Sequence, residues 1–289
     1  MTRVASETSA YTLDPALPVL LRPDGAVQVG WDPRRAVLVQ PPRGLPPAAL
    51  AAVLRSMQIP TTVAALRQEV ARHGPVDTAE LDGLLAALVH ARVAVCDTGA
   101  RRQCRTVSLR VHGRGPLSDL LVDSLRCSSA VVRTSSHPHA AVSTAGADLV
   151  VLSDYLVADP RLVRELHAER VPHLPVRVRD GTGMVGPLVL PGVTSCLTCA
   201  DLHRRDRDAA WPAVAAQLRH TVAHADRATV LATVALALSQ VDRVIAAVRG
   251  MATDRDLAAP ATLNATLELD LATGSIMTRR WTRHPLCDC

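Results

Sequence analysis

Pro191-Gly-Val-Thr-Ser-Cys196-Leu-Thr-Cys199 presents two cysteines on one short turn, and Cys287-Asp-Cys289 brings a second pair far along the chain. Zinc takes four sulfur donors in a tetrahedron at about 2.3 Å, and a Cys-x-x-Cys turn offers two of them to one ion. The spacing predicts a closed zinc site of Cys196, Cys199, Cys287 and Cys289, an ordered metal centre that would tie down the last residue of the chain. Four protein sulfurs leave no position for water or substrate, so the expected zinc is structural, not catalytic. The competing reading of the same residues is a redox Cys-x-x-Cys with an unrelated second pair. Cys96, Cys104 and Cys127 are expected to be small packing residues, and nothing near Cys127 in sequence suggests a catalytic thiolate.

Upstream of the first cysteine pair the pattern alternates strand and helix. Strands are predicted at 106–111, 130–132, 148–152 and 174–178, and helices at 117–125 and 160–169. Alternation of this kind argues for an α/β domain with a mainly parallel sheet. A turn, Asp180-Gly-Thr-Gly183, leads into residues 184–190 and so to the first cysteines. Downstream, the mixed-charge run Asp201-Leu-His-Arg-Arg-Asp206-Arg-Asp208 precedes an alanine-rich helix at 227–248 and two closing strands, 262–269 and 275–281.

Residues 17–97 read as a separate small α+β unit, winged-helix-like in its order of elements. Residues 19–22 and 26–29 flank Pro23-Asp24-Gly25 as a hairpin, and a third short strand follows at 35–39. Three helices are predicted at 46–57, 61–70 and 77–88. Asp77 with Glu80 reads as a cap for the last of these, whose apolar stripe contains Leu81, Leu84, Leu85 and Leu88. The expected organisation is a disordered N-terminus over 1–16, the small unit over 17–97, an Arg-rich linker over 98–105 and the α/β domain over 106–289.

Composition narrows the function. The chain has 289 residues, a net charge of +5 and 48% hydrophobic content, enough for packed cores. No lysine occurs, and aromatic residues make up only 2%, so stacking platforms for single-stranded nucleic acid are not expected. No apolar leader and no long uncharged stretch is seen, and the default expectation is a cytoplasmic protein that neither binds nucleic acid nor spans a membrane.

Taken in order, the glycine turn Gly113-Arg-Gly115 after the first strand, Asp154 just beyond the strand Leu149-Val-Val-Leu152, and the two cysteine pairs resemble the E1-like (ThiF/MoeB) adenylyltransferase superfamily over residues 106–289. The run from Cys196 through Trp211-Pro212 is similar to a particular branch, the leader-peptide-binding partners of cyclodehydratases in thiazole/oxazole-modified peptide pathways. The N-terminal unit resembles a PqqD-like peptide recognition element. The resemblance implies ATP and magnesium at Gly113, Gly115 and a catalytic Asp154, together with a precursor or leader peptide, a partner modifying enzyme and a homodimer. The sequence departs from the active pattern at Pro116-Leu117, where the phosphate loop would continue, after residue 132, where an acidic ribose ligand is missing, and in having no phosphate lysine.

Two functions therefore compete. In the first, a peptide adds as a strand to the N-terminal unit, in a groove between the third strand, with Arg35, Val37 and Val39, and the third helix, with Leu81 and Leu85; Arg34, Arg35 and Arg92 would meet acidic residues of the peptide. In the second, the chain is an ATP-dependent adenylyltransferase of a peptide or sulfur-carrier terminus. A DNA-binding regulator is a third class, disfavoured because the third helix carries acids and few cations.

Overall fold

The structure, a computed structural model, describes residues 7, 9–75, 77–97, 105–136, 146–250 and 259–289. These fall into two compact units, one through residue 97 and one from residue 105 on. Apart from Arg105, the expected linker lies outside the described residues, as does Cys104.

The first unit has two small antiparallel sheets and three helices. Strand β1 (Ala10–Leu13) lies between β5 (Thr61–Thr62) and β6 (Ala94–Asp97). The N-terminus was expected to be unstructured through residue 16; instead Ala10–Leu13 is paired on both sides, because Tyr11 and Leu13 alternate into the core at 6% and 0% exposure. The second sheet holds β2 (Val19–Leu21), β3 (Val27–Val29) and β4 (Val37–Val39) in that order. Helices α1 (Pro47–Ser56), α2 (Val63–Ala71) and α3 (Thr78–His90) close the core through Leu50, Leu54, Leu66, Leu85 and Leu88. Pro47 begins α1 where its missing N–H costs nothing. Asp77 caps α3 by accepting from the Ala79 N–H at 2.9 Å. Glu80 does not complete a capping box with it; its carboxylate accepts from the Arg43 N–H at 3.0 Å and ties the loop after β4 to α3.

The second unit is built on a seven-stranded sheet of order β13-β12-β11-β10-β9-β7-β8. Strands β7 (Ser108–His112), β8 (Val131–Ser135), β9 (Leu149–Ser153) and β10 (His173–Arg179) run parallel. Strands β11 (Thr182–Val185), β12 (Ala265–Asp270) and β13 (Ser275–Arg280) continue the sheet antiparallel, so it is mixed, where a mainly parallel sheet was expected. The reversal is local. Asp180 and Gly181 both have positive φ, 50° and 79°, as a two-residue hairpin between β10 and β11 requires. β8, expected to be buried, is an edge strand with Val131 46% exposed.

Helices α4 (Pro116–Arg126) and α8 (Arg227–Arg249) cover one face of the sheet, where Leu121, Leu125, Val234, Ala237 and Val241 meet Leu174, Val176 and Val185. α8 is long and apolar enough to cross a membrane by length and composition, yet here it is a core helix of this layer. Helix α5 (Pro160–Ala168) covers Val150 and Leu152 on the opposite face. Helices α6 (Leu197–Arg207) and α7 (Trp211–Leu218) complete the unit; α6 takes in most of the segment that reads as mixed charge in the sequence, and α7 follows it.

His173, at the start of β10, is fully buried. Its Nδ1 lies 3.0 Å from the Val171 carbonyl, and its Nε2 has no partner among the described residues. Burial pushes the imidazole down to about 4 from an ordinary 6.5. A base with a depressed pKa stabilises the fold fully above about pH 6.5 and loses that contribution as pH falls toward 4, here about 3 kcal/mol. Denaturant midpoints should fall steeply across that window in the native chain and much less in His173→Leu. Parallel acid-stability curves for the two proteins would contradict this.

Candidate functional site

The four cysteines converge. Cys196 caps α6, its Sγ accepting from the Cys199 N–H at 3.4 Å, which turns both thiols of Cys-x-x-Cys to one side. Sγ–Sγ distances are 3.7 Å for Cys196–Cys199, 3.5 Å for Cys196–Cys287 and 3.4 Å for Cys199–Cys289, and all four sulfurs lie within 4.8 Å of one another. A tetrahedron of sulfurs around zinc has edges of about 3.8 Å, so the donor set fits the ion in number, type and size. The distances are far beyond the roughly 2.05 Å of a disulfide, and all four are free thiols. Burial is the largest influence on Cys196, Cys199 and Cys289. It pushes Cys196 up, and Cys289 up to about 11; at Cys199 it is outweighed by hydrogen bonds from the His284 and Cys196 backbone and from the neighbouring sulfurs, bringing that thiol down to about 7.

Residues that the sequence did not single out hold the second pair in place. The buried His284 bonds Asp206 of α6 through Nε2 at 2.7 Å, and its Nδ1 accepts from the Leu286 N–H at 3.1 Å. Its carbonyl accepts from the Cys287 N–H at 3.0 Å. Asn264 accepts from the Ser195 N–H at 2.7 Å beside the first pair. Asp206 and His284 thus link the helix that carries Cys199 to the turn that carries Cys287, a role no short-range pattern could show because the two are far apart in sequence.

At the head of α4 the geometry differs from a phosphate loop. Asp154 follows β9 with φ at 69° and is 2% exposed. Its carboxylate accepts from the Leu117 N–H at 3.0 Å, the Ser118 N–H at 3.1 Å and the Ser118 hydroxyl. The anion position at the helix N-terminus is therefore taken by a side chain of the chain itself. Gly113 and Gly115 are explained by this packing: a Cβ on Gly115 would come within 2.7 Å of Asp154 Oδ1, and one on Gly113 within 2.4 Å of the Ser153 carbonyl. Burial pushes the Asp154 carboxyl above the ordinary range, against the three hydrogen bonds that hold it down. Here the N–H donors of Leu117 and Ser118 serve an internal cap, and Gly113 and Gly115 leave the space it needs, a use different from the nucleotide role expected of Gly113, Gly115 and Asp154. His112 bonds Ser135 at 3.0 Å and is buried. Cys127, expected to be a packing residue, is exposed at the end of α4.

In the first unit, β4 is an edge: among the described residues no strand pairs with its outer side. The Gly30 N–H donates to the Pro18 carbonyl and the Arg22 N–H to the Ala26 carbonyl, so the even-numbered residues of β3 bond β2 and Val27 and Val29 bond β4. Alternation along an antiparallel ladder then directs the backbone of Val37 and Val39 at β3, and the N–H and C=O of Leu38 outward. The Ala36 N–H is already held by the Asp32 carbonyl. Leu38 is 54% exposed, and Leu20, across β3 on the same face, is 38% exposed. Arg35 is exposed and Val37 half-buried. Val39, Leu81 and Leu85, expected to line a peptide groove, are core residues at 6%, 3% and 1% exposure, because their faces of β4 and α3 turn into the unit.

No protein-family model and no curated protein matches the chain. Among solved structures, the chain is similar over 97% of its length to the heterocyclase TruD, with 15% identity and a TM-score of 0.68. A heterocyclase in complex with substrate and cofactor aligns at 14% identity and the same TM-score. The chain spans only 42% and 39% of those two proteins. E. coli MccB, in a complex with AMPCPP and MccA, is similar at 11% identity and TM-score 0.60, over 96% of this chain and 98% of that one. The likeness establishes the fold, an α/β architecture whose second unit carries the extended mixed sheet.

Proposed function

We propose that the chain captures the leader of a ribosomally made precursor peptide on the free edge of β4 and, with a zinc-held E1-like unit as scaffold, presents that peptide to a partner modifying enzyme such as a cyclodehydratase. The observation that carries this reading is the outward N–H and C=O of Leu38 on a strand whose outer side is unpaired among the described residues, with Leu38 and, across β3 on the same face, Leu20 exposed. An extended peptide gains main-chain hydrogen bonds at such an edge and selectivity from the side chains beside it. Arg35 stands next to the edge, where it would meet acidic residues of a leader. The PqqD-like identity of the first unit, the cytoplasmic setting and a homodimer belong to the same reading.

The test follows from the ladder. Leu38→Pro removes the one outward N–H within β4 and should weaken binding of a labelled leader peptide at least tenfold by fluorescence anisotropy, with zinc content unchanged. Leu38→Ala keeps the backbone donor and should bind within a few-fold of the native chain. Undiminished binding by Leu38→Pro would remove the edge as the site.

The alternative, an active adenylyltransferase, draws support from the likeness to a chain crystallised with AMPCPP. Against it stands the Asp154 carboxylate, seated on the donors that a phosphate would need. Two anions at one helix N-terminus repel each other, so binding of magnesium ATP there would first require Asp154 to leave its cap.

A further inference from the structure

The face of the sheet opposite α4 and α8 is covered by α5 under β9, and beyond α5 it opens into a cavity of about 810 Å³. Six arginines line this cavity: Arg164, Arg177, Arg179, Arg204, Arg207 and Arg279. Three aspartates, Asp180, Asp201 and Asp208, line it too, so cations outnumber acids. Leu156, Val163, Leu197 and Trp211 give the remainder of the wall an apolar character.

Arg177 is the unusual member. Val176 and Val178 point into the core beneath α8, so Arg177 points to the opposite face, where it is only 9% exposed. Among the described residues it makes no side-chain hydrogen bond and no ion pair, whereas its neighbours do. Arg204 bonds Asp201 at 2.8 Å and stacks between Trp211 and Trp281 at 5.2 and 5.0 Å. Asp201 also accepts from the Trp211 indole at 3.1 Å. Glu268 is held by Arg279 at 2.7 Å and Arg179 at 3.5 Å. The acids that could neutralise Arg177 are thus engaged elsewhere. Burial, with Arg204 nearby, pushes its guanidinium down to about 10 against the smaller pull of Asp201 and Glu268, which still leaves it charged at neutral pH. A buried, unpaired guanidinium is costly, and the fork geometry of its donors matches a carboxylate or a phosphate.

We propose that this cavity is a ligand site for an oxyanion carried on a partly apolar molecule, with Arg177 as the anchor that grips the oxyanion and the wall around Trp211 and Leu197 taking the apolar part. The volume is that of an ordinary small-ligand pocket. The site lies within the second unit and rests on neither the β4 edge nor the zinc centre. It is also distinct from the glycine turn at Gly113, whose donors Asp154 occupies.

The shared chemistry is the oxyanion, and two probes separate its sources: phenyl phosphate and 3-phenylpropionate, each titrated calorimetrically into the full-length chain in low-salt buffer, with 3-phenylpropanol as the neutral counterpart. At least one anion should bind saturably at one site per chain, the alcohol should bind at least tenfold more weakly, and Arg177→Met should weaken the anion at least tenfold. The tighter of the two anions identifies the source as phosphate or carboxylate. If Arg177→Met does not fold, Arg177→Lys decides: it keeps the charge, loses the two-pronged geometry and should bind at least fivefold more weakly. No saturable binding of either anion, or affinity unchanged in the deciding variant, would overturn the proposal.

Discussion

The purified, reduced chain is expected to carry one zinc ion per molecule, and stripping it with a strong chelator should lower the melting temperature of the second unit by about 10–20 °C. The reasoning starts from four sulfurs held at 3.4–3.7 Å from their neighbours. Zinc bound across them converts part of its affinity into folding free energy, and a loss of about 5 kcal/mol in a unit of this size shifts Tm by that amount. The effect should be largest around Cys287 and Cys289, which are only partly buried and rest on Cys196, Cys199 and the His284–Asp206 link. Cys199→Ser should lose the metal and melt like the stripped protein. His284→Ala should keep the metal but bind it about tenfold to a hundredfold more weakly, because it orients the turn without ligating. Metal-free protein that melts at the same temperature as the metal-loaded form would remove zinc from the description.

Asp154→Ala should cost about 3 kcal/mol of stability, measured by denaturant unfolding, and should change nothing in nucleotide binding. The substitution leaves two buried N–H groups and a hydroxyl at the head of α4 without their acceptor. It also places alanine at a φ of 69°, in the left-handed region that L-residues with a Cβ disfavour. Asp154→Asn keeps an oxygen acceptor and a side chain tolerant of that conformation, so its loss should be about half as large. The two readings of the chain separate here. If Asp154 is an internal cap, the native protein shows no pyrophosphate exchange with ATP and magnesium, and the two variants differ in stability only. If it supports adenylation, the native protein exchanges pyrophosphate in a peptide-dependent manner and both variants abolish it.

The acid-stability window of His173 and the anion site at Arg177 share a cause with the Asp154 cap. Each places a titratable group on the inner side of an element whose sequence does not mark that residue as inward. In β10, His173-Leu-Pro-Val-Arg177-Val-Arg179 alternates apolar Leu174, Val176 and Val178 with a face that carries His173, Arg177 and Arg179, the usual sign of a solvent face. That face is instead closed at one end by α5 and opened into a cavity at the other, and His173 and Arg177 are buried with it. Whether a polar strand face meets water is settled by what packs above it.

Local chemistry was enough to place most elements. The hairpin around Asp24-Gly25, the proline and aspartate starts of α1, α3 and α5, the α/β alternation and the convergence of Cys196, Cys199, Cys287 and Cys289 all rest on turn residues, caps, periodicity or metal-ligand spacing, which act within a few residues or through a chemically distinctive donor set. The strand at Ala10–Leu13, helices α6 and α7, and the antiparallel direction of the closing strands were not legible, because each is stabilised by partners far along the chain. By itself the sequence determined that a small α+β unit precedes a cysteine-clipped α/β unit. Only the tertiary structure decided that Asp154 sits on the donors of α4, that Leu38 and not Val37 faces the free edge of β4, and that Arg177 is buried with no ion pair among the described residues. Those outcomes depend on which backbone and side-chain groups are left unpaired after the whole fold has closed, and no local pattern encodes that remainder.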